Sequence, residues 1–162
     1  MSTKIINILL ILPVIFLSFF IKRKKSYFSF GDWFGEKCSD SSFYIFKEAS
    51  KENKFNVAWI TKSDDIYTTL NKEKYTCYKA NSVQGIVHQL SSWSFISTVN
   101  SFDFYPPALL GQKNYVQLNH GPPIKKYYKD KLTKFQKIRF YIRSRTIENY
   151  SYYASYGIFN SI

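Results

Sequence analysis

Residues 115–126 read Tyr-Val-Gln-Leu-Asn-His-Gly-Pro-Pro-Ile-Lys-Lys, a short apolar strand that runs into a histidine and then breaks. The pattern predicts His120 at the carboxyl end of a strand, the end at which ligands bind in an open α/β sheet. Gly121-Pro122-Pro123 prevents a strand or helix from carrying it away from that edge. An unperturbed imidazole titrates at about 6.5, so His120 is suited to take a proton from an attacking hydroxyl. The alternative at this position is a turn histidine hydrogen-bonded to its own loop.

Other chemistries find little support. Cys38 and Cys77 are the only cysteines, with no Cys-x-x-Cys and no histidine at ligand spacing, so neither a zinc site nor a disulfide framework is indicated. Both are expected to be inert thiols, and such sparse use fits a reducing compartment. No glycine-rich dinucleotide or P-loop motif occurs. Asp32 and Asp40 invite a paired-carboxylate reading, but eight positions of loop and helix separate them. Asp40 suits a helix cap, and Asp32 suits a turn that shapes the glycine loop Gly31–Gly35 at the crevice. Trp33 and Trp59 are expected in the core or at its rim, and His88, on an expected helix, at the surface or in the core.

Positioning His120 requires a sheet. Tyr27–Phe30, Val57–Thr61, Tyr75–Tyr78, Phe95–Val99, Tyr115–Leu118 and Tyr152–Ser155 read as strands. Ser39 or Asp40 caps a helix carrying Phe43, Ile45, Phe46 and Ala49; Ser63-Asp64-Asp65 caps another through Leu70; Val83–Leu90 is a third. Strands alternating with helices predict an α/β fold with a Rossmann-like parallel sheet. At 162 residues the chain has room for one such domain, here residues 26–162, after an N-terminal segment of residues 1–25.

The formal charge of +12 is concentrated: thirteen of the 23 basic residues are Lys22, Arg23, Lys24, Lys25 and nine between Lys125 and Arg145. Ile5–Ile21 is a 17-residue apolar stretch broken only by Asn7, Pro13 and Ser18, about 25 Å as a helix against a hydrocarbon core of about 30 Å. Cations follow this stretch and the cleavage site is poor, which favours an uncleaved anchor or interfacial helix over a signal peptide. The positive-inside rule then holds the remainder at the cytoplasmic face of the membrane. Lys129–Arg145 repeats Leu132, Phe135, Ile138 and Ile142 at helical spacing among Lys131, Lys134, Lys137 and Arg139. Such a helix either lies on anionic lipid or packs its stripe on the sheet. No motif of specific nucleic-acid recognition is present.

The run Gln117-Leu118-Asn119-His120-Gly121-Pro122-Pro123-Ile124-Lys125-Lys126 resembles Gln-Leu-Trp-His-Gly-Thr-Pro-Leu-Lys-Lys of the CDP-glycerol glycerophosphotransferase family, the teichoic acid polymerases and primases. Phe30–Ser42 looks like that family's first strand, glycine loop and helix, and Asn56–Thr61 like its next strand. The resemblance implies the N-terminal half of a GT-B architecture, the acceptor-side half. It implies CDP-glycerol as donor substrate, bound mainly by a C-terminal half, a lipid-linked polyol-phosphate acceptor, and no cofactor or metal. His120 would be the general base, while Lys125, Lys126, Asp32 and Gly121 would serve the acceptor. Asn119 stands where the family usually has tryptophan. The chain ends soon after the last expected strand, so it is expected to be inactive alone, as a fragment, a truncated product or one piece of a split enzyme. A non-catalytic, membrane-tethered module binding anionic lipid or polyanion is the alternative function.

Overall fold

The computed structural model describes residues 13–99, 103–105, 108, 114–118 and 152–153, the last two by backbone alone. Residues 13–20 form helix α1. The succession that follows is β1 (Lys24–Gly31), α2 (Ser41–Ala49), β2 (Asn56–Thr61), α3 (Asp64–Lys72), β3 (Cys77–Lys79), α4 (Val83–Ser91), β4 (Ser92–Ser97), β5 (Asn114–Gln117) and β6 (Tyr152–Tyr153). The sheet has the order β3-β2-β1-β4-β5-β6, and every adjacent pair is parallel. The α/β, Rossmann-like reading is therefore correct.

A parallel strand buried on both faces divides its residues between two cores. In β2, Val57 and Trp59 join Phe30, Phe46 and Leu70 beneath α2 and α3, while Ala58 and Ile60 join Phe95, Phe104 and Tyr115 on the other face. Each large apolar side chain withdrawn from water in this way contributes roughly 1.5–3 kcal/mol. The helices start where their caps dictate. Asp40 Oδ1 accepts from Ser41 N at 2.9 Å, Ser63 Oγ from Ile66 N at 3.4 Å and Ser82 Oγ from Gly85 N at 3.0 Å.

Several expected bounds shift: the first strand starts at Lys24 rather than Tyr27, so the domain begins inside the basic segment, and the fifth runs Asn114–Gln117 rather than Tyr115–Leu118. The third strand starts at Cys77 rather than Tyr75, because α3 closes with a Schellman turn: Lys74 adopts φ 64°, Lys74 N donates to Asn71 O at 3.1 Å, and Tyr75 N to Leu70 O at 2.9 Å. The fourth starts earlier than Phe95 and stops earlier than Val99, because α4 runs directly into Ser92.

The anchor expectation is not supported. Among the described residues no helix is long and apolar enough to cross a membrane; residues 5–12 lie outside them. What is described of α1 docks on the domain. Val14 is buried with Ile86, Leu90, Tyr105 and Ala108, and Ile21 packs against them. Its other side stays open, with Phe16, Phe19 and Phe20 exposed by 63%, 80% and 67%.

Candidate active site at the switch point

Chain connections leave β1 toward β2 and leave β4 toward β5, so the strand order reverses between β1 and β4, with Gly31 beside Ser97 at the carboxyl edge. A crevice at such a point is where doubly wound sheets bind ligands.

The loop after β1 makes a left-handed turn, with φ values of 43° at Trp33, 64° at Phe34 and 82° at Gly35. Only glycine adopts this region freely; each other residue costs about 1–2 kcal/mol there. The surroundings hold it in place. Gly35 N donates to Asp32 O at 2.8 Å, and Gly35 O accepts from Lys62 N at 2.8 Å and Thr61 Oγ1 at 2.7 Å. Phe34 is exposed at the carboxyl edge, and half-buried Trp33 has Lys37 Nζ 4.6 Å from its ring centre. Strain of this kind collects at functional sites.

Two buried acids lie under the loop. Asp32 is fully buried; its Oδ2 accepts from Asp40 N at 3.2 Å and Ser39 N at 3.4 Å, tying the strand end to the start of α2. Its Oδ1 has no partner. Burial raises the Asp32 carboxyl above its usual range, against hydrogen bonds from Thr98 and the loop amides. Thr98 Oγ1 in turn pairs with Ser42 Oγ at 2.9 Å. Asp103 is also fully buried, with neither carboxyl oxygen satisfied by a hydrogen bond. Burial foremost, and the charge of Asp32, push it up to about 7, although the Phe34 and Gly35 amides and Lys62 favour its charged form. At neutral pH Asp103 is therefore poised between its two protonation states.

The expected site residues divide three ways. Asp32 is at the carboxyl edge but buried, tying the loop to the start of α2 and facing no solvent. His120, Gly121, Lys125, Lys126, Lys131, Lys134, Lys137 and Arg139 lie outside the described residues. The strand that leads to His120 is described: Leu118 N donates to Ser97 O at 2.8 Å, so β5 continues along the same carboxyl edge. In the basic segment Lys22, Lys24 and Lys25 are exposed. Arg23 differs from the lipid-facing expectation. Its Nη1 donates to Ser92 O at 2.9 Å and Gln89 O at 3.4 Å, and its Nη2 to Ala108 O at 3.1 Å. A guanidinium at the carboxyl end of a helix satisfies carbonyls left over there.

Asp103 and the left-handed turn escaped the sequence reading. The signal for the first was an aspartate set between Phe102 and Phe104. Among the described residues no group of three His, Cys, Asp or Glu is placed to hold a metal ion. Cys77 is buried, which pushes its thiol up to about 12, and burial also raises Cys38, so both thiols stay protonated near neutrality.

A parallel, doubly wound sheet with a strained first βα loop over buried acids at the switch point defines a Rossmann-like α/β unit. Residues 13–158 match the model of the family described as CDP-Glycerol:Poly(glycerophosphate) glycerophosphotransferase, and the chain belongs to that family. Solved structures of the wall teichoic acid polymerase TagF share the fold. A histidine-to-alanine variant superposes with a TM-score of 0.62 at 19% identity, over 92% of this chain and 38% of that one. A histidine-to-asparagine variant soaked with CDPG gives 0.58 at 20% identity, over 82% and 33%. At such identities the likeness is one of fold, and the chain spans between 33% and 38% of the length of these two TagF chains. No curated protein sequence matches the chain.

Proposed function

We propose that this chain supplies the acceptor side of a membrane-associated transferase, the N-terminal half of a GT-B enzyme that moves glycerol phosphate from CDP-glycerol to a lipid-linked acceptor hydroxyl in the synthesis of teichoic acid or a related polymer. The observation that carries the reading is the strained loop Trp33–Gly35 over Asp32 and Asp103 at the switch point, in a chain of this family. In this reading His120 takes the proton of the acceptor hydroxyl as its oxygen bonds to the β-phosphorus of the donor. The bond from that phosphorus to the bridging oxygen breaks, and CMP leaves with the electron pair. Asp32 and Gly121 shape the crevice, Lys125 and Lys126 face acceptor phosphates, and the nucleotide is held mainly by a C-terminal half.

Attachment to the cytoplasmic face of the membrane is part of the proposal. Exposed Phe16, Phe19 and Phe20 on α1 precede exposed Lys22, Lys24 and Lys25, an apolar face followed by cations that suits an interface containing anionic lipid. Each cation near such a surface adds about 1 kcal/mol. Lys131, Lys134, Lys137 and Arg139, four further cations of the sequence, are proposed to add to it.

The test joins the chain to a nucleotide-binding half and measures CMP released from CDP-glycerol. His120→Ala abolishes release while vesicle binding persists; unchanged turnover refutes the base assignment. No turnover before or after the substitution favours a non-catalytic, membrane-tethered module.

A further inference from the structure

A cavity of about 360 Å³ opens at the amino edge of the sheet, where β1 and β2 begin and α3 turns into β3. This is the edge opposite the switch point, so the cavity belongs to neither the loop nor the acids described above. Its size falls within the range of small-molecule sites, ~300–1,000 Å³.

The lining has a definite chemistry. Tyr27 and Tyr78 flank His88, each with its ring centre 5.5 Å from the imidazole, at interplanar angles of 37° and 45°. His88 is only 8% exposed, and its Nε2 donates to Phe28 O at 3.1 Å, which fixes the ring. Lys51, Lys74 and Asn56 line the cavity as well, and among the described residues no carboxylate does. Lys51 shares its charge with Glu48 at 2.8 Å, whereas Lys74 takes part in no salt bridge among the described residues.

The backbone at Lys74 supplies a second, independent sign. The position that closes a Schellman turn is the one glycine fills without strain, yet here a lysine occupies it at φ 64°. An unfavourable conformation kept at a cavity wall points to a use for the side chain. The cation asks for an anion. Each tyrosine ring is tilted against the imidazole, and the two phenol hydroxyls with the Asn56 amide among the lining residues suit a hydroxyl-bearing body.

We infer that this cavity binds the phosphate ester of a sugar or polyol, with the phosphate on Lys74 and the hydroxylated body against Tyr27 and Tyr78. Such a group comes either from a soluble ester or from the headgroup of an anionic phospholipid. The second source is within reach because Lys24 Nζ, in the basic segment after α1, lies 4.9 Å from the Tyr27 ring centre.

The imidazole reports occupancy directly, since His88 and His120 are the only histidines. The full chain, labelled with nitrogen-15 at histidine, is titrated with glycerol 3-phosphate, glucose 6-phosphate, inorganic phosphate, and vesicles of phosphatidylglycerol or phosphatidylcholine. A saturable shift of the His88 ring signals is expected with a soluble ester. A shift with phosphatidylglycerol vesicles alone equally supports the site and assigns the headgroup as the source. Lys74→Asn, a residue at ease in the left-handed region, should leave the urea midpoint unchanged and weaken binding about tenfold. The inference is overturned if no probe shifts His88, if inorganic phosphate binds as well as the esters, or if Lys74→Asn binds like the parent. None of these outcomes bears on CMP release, so the cavity and the catalytic reading stand or fall separately.

Discussion

Gly31 and Asp103 touch so closely that a Cβ added to the glycine would lie 2.6 Å from the Asp103 Cβ and 3.2 Å from the Phe104 ring. Neither neighbour is the free end of a flexible side chain, so one of the two segments must move. Gly31→Ala is expected to destabilise the fold by about 1–3 kcal/mol, the usual cost of overpacking. Urea unfolding measures it, and an unchanged midpoint would show that the two segments are not held together as described.

The acid in that contact makes stability depend on pH with an unusual sign. An ordinary aspartate titrates near 4 in the unfolded chain, whereas Asp103 in the fold is pushed up to about 7. Between these values the folded state binds more protons than the unfolded one. The Asp103 contribution therefore favours folding below about pH 4 and weakens as pH rises to about 7. Asp32 adds to the shift, and Lys62 with the Phe34 and Gly35 amides opposes it. Asp103→Asn should flatten this part of the profile and raise stability at pH 8 by roughly 1–3 kcal/mol, because a buried, unsatisfied charge is removed. A parallel profile in the variant would place the titration elsewhere.

The parts of the fold legible in the sequence are those decided locally. Asp40 and Ser63 announce their helices, since a side-chain oxygen before an apolar periodic run serves the free amides of a first turn. Val57–Thr61 reads as a strand because its residues suit burial on both faces. What escaped was decided by distant partners. Nothing near Lys74 replaces the glycine that ordinarily marks a left-handed helix end. Trp33 and Phe34 take positive φ because Thr61 and Lys62, a strand away, grip Gly35 O. Among four adjacent cations, Arg23 turns inward because the end of α4 and Ala108 offer carbonyls there.

That division among the cations is measurable. Arg23→Gln removes donors from three carbonyls and should cost about 1–3 kcal/mol of stability. Replacing exposed Lys22, Lys24 and Lys25 with glutamine should leave the stability measured by urea unfolding within about 0.5 kcal/mol. The same triple change should weaken sedimentation with phosphatidylglycerol vesicles, most visibly at low salt. Equal vesicle binding by the triple variant and the parent would remove these three lysines from the membrane proposal.

Phe34 separates stability from function at the switch point. Its φ of 64° burdens the fold, and 43% of its surface stays exposed. Glycine at this position relieves the left-handed strain while enlarging the freedom of the unfolded chain, so Phe34→Gly should leave stability unchanged or raise it by up to about 1 kcal/mol. If the ring forms a wall of the acceptor site, the same substitution lowers turnover of the chain joined to its nucleotide-binding half, and it does so chiefly through a higher KM for the acceptor. A variant less stable than the parent would mean that the turn is held by contacts of the ring itself. A variant of equal stability with full turnover would leave the strain without a catalytic use.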